Sequence, residues 1–376
     1  MVSFVVYNMD CLKALKKMGS GSVDCVFTSP PYWGLRDYGT ATWEGGNPEC
    51  EHLEAKEKSR YDYSLESSTV QKPTEGTDAP RWKGVCPSCG AKKVDKQLGL
   101  ESTFQEYVEN LLLVFDEVKR VLKPSGTCWV NLGDTYNSGR NNRTDGEVEQ
   151  KINNKEKGRV STNPNEQGLK VKSLCNVPAR FSIGMQDRGW ILRNTIVWHK
   201  PSCMPSSVKD RFTVDFEYVF FFTKNKKYFF EQQLEPISNF SLKDKRKDLG
   251  KFKYVGKNGD SRFVDGLNTM CGIKSEGRNM RCVWSINPKP YREAHFACFP
   301  PALVERGLKA GCPKEGVVLD PFVGSGTTLQ VARDLGLCGV GVELNGDYVS
   351  LIRKRVLTDG KGNELLVKPS FDVVKE

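Results

Sequence analysis

Two short stretches of this chain combine residue types in an order that can do chemistry. In "TSPPY", residues 28–32, a hydroxyl and a carbonyl follow one another on a segment that two prolines hold rigid. Ser29 Oγ and the Pro30 carbonyl are both acceptors. Aimed at the protons of a conjugated amine, such a pair would favour a pyramidal nitrogen whose lone pair is free to attack an electrophile. Pro31 would fix the carbonyl, and the ring of Tyr32 would offer a flat face to a flat substrate. A plain proline turn after a core strand is the alternative.

In "DPFVGSGTT", residues 320–328, Asp320 ends an apolar run, and Gly324 and Gly326 let the backbone turn tightly against a ligand before a helical pattern begins. Glu343 ends the next apolar run, seventeen residues after Gly326. A carboxylate there is placed to accept from both hydroxyls of a ribose. The stretch lacks the G-K-[ST] of a P-loop and the full G-x-G-x-x-G dinucleotide fingerprint, so a nucleoside without a pyrophosphate fits it better. A tight strand-to-helix turn with an unrelated glutamate is the alternative.

A third group is Cys50, His52, Cys86 and Cys89. Alternate residues of an extended chain point the same way, and "CPSCG" has the knuckle spacing that turns two thiolates toward one ion. A Cys3His zinc site would staple a segment with little core of its own, and four ligands would leave no open position, so its role would be structural. Unrelated thiols are the alternative. His199 and His295 read as structural histidines and are given no catalytic role.

These groups need elements that bring them together. The chain opens as strand (Phe4 to Tyr7), helix (Cys11 to Lys17) and strand (Val23 to Phe27). From Phe104 onward, Val108, Leu111, Leu112, Phe115, Val118 and Leu122 recur at helical spacing up to "KPSG". "TCWVNLGD" reads as a strand, "LCNVPARFSIGMQDRGW" as a helix, and "LRNTIVWHKP" and "FEYVFFFTK" as strands. "GVVLDPFVGSGTTLQVARDLGLCGVGVEL" reads as strand, glycine turn, helix from about Thr327 to Leu335, and strand. This alternation predicts an α/β fold, a doubly wound and mostly parallel sheet with helices on both faces, and a ligand at the carboxyl ends of its strands.

The spacing divides the chain into a catalytic core portion (1–39), a polar insertion with the Cys/His group (40–100), core with a long polar loop at 137–172 (101–223), a basic segment (224–285) and the loop-bearing core portion (286–376). Within "KDKRKDLGKFK", residues 243–253, six basic residues face two acidic ones. The 376 residues give room for one large domain with insertions, and a formal charge of +10 favours polyanionic partners. Thirteen cysteines without a regular framework, and no apolar run of membrane-spanning length, predict a reducing, cytoplasmic setting without a membrane partner.

Taken together, "TSPPY" and "DPFVGSGTT" with Glu343 resemble the catalytic motif and the S-adenosylmethionine loop of DNA amino-methyltransferases. The order, catalytic motif first and cofactor loop last, is similar to that of the beta class. The likeness extends through "RVLKPSGTCWVNLGD", "IVWHKPSCMPSSVKDRF", "FEYVFFFTK" and "HFACFP". It implies a Rossmann-like methyltransferase fold, S-adenosyl-L-methionine as methyl donor, and double-stranded DNA as partner, with the target base flipped out of the stack. It assigns catalysis to Ser29, Pro30, Pro31 and Tyr32, and cofactor contacts to Asp320, Pro321, Phe322, Gly324, Ser325, Gly326, Thr327 and Glu343. Asp10 would lie near the cofactor adenine, with a helix N-cap as the equal alternative; Phe322 would pack on the adenine or belong to the core. Residues 224–285 would form the target-recognition region, their Lys and Arg side chains suited to phosphates. Serine before Pro-Pro-Tyr resembles the cytosine-N4 branch. Adenine-N6 methylation stands as the alternative, and a catalytically silent, zinc-dependent nucleic-acid-binding protein as the alternative of another class. A cognate restriction enzyme would be a further partner; no oligomeric state is legible.

Overall fold

Apolar runs without polar alternation make strands buried on both faces, and such strands form the middle of the sheet here. β2 (Val23–Thr28) is buried at every position, and β5 (Leu122–Leu132) is buried from Gly126 onward. The computed structural model describes residues 2–34, 41–52, 85, 86, 88–94, 97–137, 168–236, 252–255, 261–264, 277–288, 299–359, 363, 365 and 367–375. The centre of the basic segment, most of the 137–172 loop and His295 lie outside the described residues.

In chain order the elements are β1 (Ser3–Asn8), α1 (Cys11–Lys17), β2, β3 (Thr42–Glu44), β4 (Lys92–Val94), α2 (Phe104–Val121), β5, α3 (Val177–Asp187), β6 (Ile191–His199) and β7 (Phe216–Thr223). There follow β8 (Leu234–Glu235), β9 (Phe252–Val255), β10 (Ser261–Val264), β11 (Arg278–Asn279), β12 (Val283–Ser285), α4 (Pro301–Gly311), β13 (Val317–Asp320), α5 (Thr327–Asp334), β14 (Cys338–Glu343), α6 (Gly346–Leu357) and β15 (Ser370–Lys375). Nine strands form one sheet in the order β12-β6-β7-β5-β2-β13-β14-β1-β15. Among the described strands, β7 alone runs antiparallel to its neighbours in that sheet.

Side chains alternate across the strands into two apolar layers. In β2, Val26 packs with Leu15 of α1, Leu111 and Phe115 of α2, and Phe181 of α3. Cys25 and Phe27 point the other way, toward Leu303 and Leu308 of α4, Leu329 of α5, and Ile352 and Val356 of α6. The doubly wound α/β fold expected from the sequence is therefore present, with three of the described helices on each face.

The structure differs from the sequence reading in places. β5 begins at Leu122, directly after α2 and ahead of "KPSG": Leu122 already has extended backbone, and Pro124 and Ser125 are exposed where the pairing of β2 with β5 shifts register. α4, α6, β12 and β15 were not anticipated. In α4, "PALVERGLKAG" looks like loop because of its glycines, yet a Cβ at Gly307 would stand 2.5 Å from the Phe27 ring. The glycine there permits close approach of helix to sheet. β12 closes the 224–285 segment but pairs with β6 in the core sheet.

Candidate active site

β2 and β13 are neighbours in the sheet, so the two chemistry-bearing stretches leave it side by side at its carboxyl edge. Thr28 Oγ1 donates to Asp320 Oδ1 at 2.6 Å, joining residues 292 apart in sequence. Beyond this link opens a cavity of about 590 Å³. Ser29, Pro30, Pro31 and Tyr32 line one part of it, and Pro321, Phe322, Gly324, Ser325, Thr327 and Glu343 another, and Asp10 also lines it.

On the loop side, Asp320 and Gly326 stand behind the lining. Asp320 is buried; Oδ1 also accepts from the Phe322 N–H at 3.0 Å and Oδ2 from the Thr328 hydroxyl at 2.6 Å. Burial pushes its carboxyl up to about 6 against the pull of these three bonds. Gly326 precedes α5 with φ +89°, and a Cβ there would meet Ile352 at 3.2 Å. Gly324 has φ +52°, a Cβ there would meet only the Phe322 carbonyl oxygen at 4.0 Å, and its N–H donates to Glu343 Oε2 at 2.9 Å. Glu343 Oε1 accepts from the Asn345 N–H at 2.9 Å. Burial raises the Glu343 carboxyl to about 7, with the Asp320 charge adding to the rise. Two backbone donors leave the carboxylate with unused lone pairs, and it faces the cavity. Ser325 Oγ and Thr327 Oγ1 both accept from Arg355 of α6, at 2.7 and 2.9 Å. Asp10 is the N-cap of α1, accepting from the Lys13 N–H at 3.0 Å, while also lining the cavity.

On the turn side, Tyr107 Oη donates to the Pro31 carbonyl at 2.8 Å, whereas no donor among the described residues reaches the Pro30 carbonyl. Ser29 Oγ donates to Tyr32 Oη at 3.4 Å, and Tyr32 Oη donates to Glu217 Oε2 at 2.8 Å. Burial, with the Glu217 charge beside it, holds the Tyr32 phenol well above its usual range. Glu217 Oε2 also accepts from Asn131 Nδ2 at 3.1 Å, and Oε1 pairs with Lys200. Lys200 lies 4.3 Å from the centroid of the Trp198 ring. Sequence reasoning missed Asn131, Lys200, Glu217 and Arg355. The available signal for three of them was one polar or charged side chain closing an otherwise apolar strand, in "WVNLGD" and "WHKP", or opening one, in "FEYVFFFTK".

The insertion returns to this turn. Trp33 is buried and its Nε1 donates to the Glu101 carbonyl at 2.9 Å, while Gln97, Leu98 and Glu101 line the cavity. Upstream, the ligand atoms of Cys50, His52, Cys86 and Cys89 all lie within 4.8 Å of one another. Cys50 Sγ and Cys86 Sγ are 3.7 Å apart, and Cys89 Sγ is 3.3 Å from His52 Nδ1. A disulfide needs ~2 Å between sulfurs, whereas thiolates ~2.3 Å from a tetrahedral zinc stand ~3.8 Å apart. His199 contacts the Ser285 hydroxyl and Asp215, as a structural histidine would.

The family model described as DNA methylase, of the N6/N4 type, matches residues 23–354. The type II methyltransferase M.SmaI of Serratia marcescens is 34% identical over 350 residues, covering 93% of this chain and 89% of that protein. M.Cfr9I of Citrobacter freundii is 33% identical over 351 residues, covering 93% and 87%. Among solved structures, PvuII DNA methyltransferase, described as cytosine-N4-specific, shares the fold at a TM-score of 0.52 and 17% identity, covering 96% of this chain and 90% of its own. A Thermus thermophilus protein solved with S-adenosyl-L-methionine, and assigned as a DNA modification methylase, aligns at a TM-score of 0.50 and 18% identity, covering 99% and 98%. Sequence likeness over nearly the whole length thus joins a cavity built between the two motifs, and the chain belongs to the N6/N4 DNA methylase family of S-adenosyl-L-methionine-dependent, restriction-modification-type DNA amino-methyltransferases.

Proposed function

We propose that the protein methylates the N4 amine of cytosine at a specific site in double-stranded DNA, with the target base flipped into the cavity beside the methyl donor. Ser29 carries the assignment. The acceptor opposite the cofactor loop is a neutral hydroxyl whose own proton is directed at Tyr32, so its lone pairs are left for an amine. Ser29 Oγ and the Pro30 carbonyl accept from the two amine protons, Pro31 and Tyr107 hold the turn, and the Tyr32 ring faces the base. The donor supplies an electrophilic methyl. Glu343 accepts its ribose hydroxyls, Gly324 lets it approach the backbone, Phe322 and Asp10 flank its adenine, and Pro321, Ser325 and Thr327 shape the wall, while Asp320 and Gly326 hold the loop from behind. Flipping costs on the order of a few kcal/mol, which phosphate contacts from the basic 224–285 segment offset.

Cys50, His52, Cys86 and Cys89 bind one structural Zn²⁺, an assignment supported by the sulfur spacing and by the gathering of four ligand atoms within 4.8 Å of one another. The type II relatives support a cognate restriction enzyme as cellular partner. Incubation with isotopically labelled S-adenosyl-L-methionine and unmodified DNA, then digestion to nucleosides and mass analysis, yields N4-methylcytosine; N6-methyladenine alone overturns the cytosine assignment. Ser29→Ala abolishes transfer while cofactor binding survives, and undiminished turnover would refute the role of Ser29.

A further inference from the structure

We propose that Glu217 is the terminal proton acceptor of the reaction, reached through a relay of Ser29 and Tyr32. The inference rests on the amino-methyltransferase reading but not on which base is methylated. When the N–C bond forms and the S–C bond of the donor breaks, a neutral thioether is left together with a positively charged amine that carries one proton too many. That proton needs an acceptor inside a closed site. The hydroxyl directions point to one: Ser29 Oγ donates to Tyr32 Oη, and Tyr32 Oη to Glu217 Oε2. As the amine proton moves to Ser29 Oγ, the Ser29 proton moves to Tyr32 Oη and the Tyr32 proton to Glu217 Oε2. Both hydroxyls end neutral, the methylated amine ends neutral, and the net change is one proton gained by Glu217.

The surroundings suit this direction of transfer. Tyr32 Oη is also 3.2 Å from Asn131 Oδ1, but the carboxylate is nearer, and a charged acceptor makes the stronger bond. Asn131 Nδ2 donates both to Glu217 Oε2 and to the Tyr218 carbonyl at 3.0 Å, which fixes the amide with its nitrogen toward the carboxylate. Lys200 faces the other oxygen as an ion-pair partner. Of the other acids on the cavity, Asp10 caps α1 and Glu343 belongs to the glycine-loop side, Asp134 accepts from the Thr135 and Val177 N–H groups, and Glu101 accepts from Gly99 N–H and the Asn110 amide. Asp134 and Glu101 are both raised chiefly by burial. A buried Tyr32 that resists becoming a phenolate passes a proton on only as it receives one, which a concerted relay requires.

The tests are Glu217→Gln and Tyr32→Phe, the second of which keeps the ring and removes the hydroxyl. Binding of S-adenosyl-L-methionine by calorimetry, and fluorescence of 2-aminopurine at the target position as a measure of flipping, are expected to change less than about threefold in either variant. Single-turnover methylation is expected to fall by about 10² or more, the size of a general-base contribution. The double variant should be no slower than either single one, because both break one chain. In Glu217→Gln the rate should rise with pH where the native rate is flat, and in Glu217→Gly formate should restore part of it. Single-turnover rates within threefold of native, additive losses in the double variant, or loss of cofactor binding and flipping together with rate would each overturn the relay. Failure of the family reading is distinguishable, since the native protein would then methylate no DNA.

Discussion

Glu343 should release a proton when the methyl donor binds. Burial raises its carboxyl to about 7 from an ordinary 4.5, although two backbone N–H groups already donate to it. Ribose hydroxyls donate best to the ionised form, so binding selects the carboxylate and expels the proton. With a free-protein value near 7 and a bound value below about 5, about 0.8–0.9 proton leaves per ligand at pH 6 and about 0.1 at pH 8. Apparent affinity should therefore fall about tenfold from pH 8 to pH 6, roughly 1.4 kcal/mol. The ligand-free protein shows the same group with the opposite slope. The folded-state value lies above the unfolded one, so the contribution of Glu343 to stability is present in full below pH ~4.5 and is lost as pH rises through ~7, up to about 3 kcal/mol.

Titration calorimetry in buffers of different ionisation enthalpy measures the proton count directly. Glu343→Gln supplies the comparison, because it leaves Asp320 and the ligand's own groups titrating. The variant should bind at least about tenfold more weakly at pH 8, and its affinity should lack the part of the pH slope that Glu343 supplies. If the native protein releases fewer than about 0.3 proton at pH 6, or if Glu343→Gln keeps the native slope, the carboxylate does not take the ribose.

Other parts of the site give further expectations. Asp320→Ala orphans Thr28 Oγ1 and the Phe322 N–H and leaves Thr328 Oγ1 with only its 3.4 Å bond to the Phe27 carbonyl, and chemical unfolding should show a loss of about 3 kcal/mol or more together with weakened cofactor binding. A Cβ at Gly133 would stand 2.6 Å from the Tyr32 ring, so Gly133→Ala should lower the single-turnover rate by at least about tenfold while the melting temperature moves by only a few degrees, about what overpacking of 1–2 kcal/mol gives. Metal analysis of protein purified without chelator should find about one zinc per chain, and stripping it with a strong chelator should cut DNA binding more than cofactor binding, because residues 97–101 return from the knuckle to the catalytic turn.

The sequence made the two motifs legible because each is local. A strand and the rigid or glycine-bearing turn that follows it lie within a dozen residues, and the prolines or glycines that set the turn are among them, although distant groups, Tyr107 on Pro31 and Thr28 on Asp320, also hold it. The knuckle was legible for the same reason on its Cys86–Cys89 side; on its Cys50–His52 side the residues meet by another route than the extended chain expected, since His52 has φ +41°. Helix α4 was not, because Gly307, which suggests a loop in isolation, is there to let Phe27 lie against the helix. Nor was Arg355. Its partners Ser325 and Thr327 lie 30 and 28 residues earlier, across a strand and most of two helices, and nothing in the local pattern of α6 distinguishes it from a solvent-facing arginine.

Glu217 shows the same limit most sharply and explains why the missed residues cluster on the turn side. In a parallel sheet, functional side chains gather where strands end, and so a residue at the beginning of a strand is discounted. β7 reverses that rule. It lies antiparallel between β5 and β6, with Tyr218 opposite Leu132 and Glu217 opposite Trp198, so its first residues arrive at the edge where its neighbours finish. Only that reversal brings Glu217 beside Asn131 at the end of β5, Lys200 just past the end of β6, and Tyr32 just past the end of β2. A charged residue opening an otherwise aromatic strand is thus a site residue or a solvated strand end according to the direction of that one strand, and direction is a property of the whole sheet.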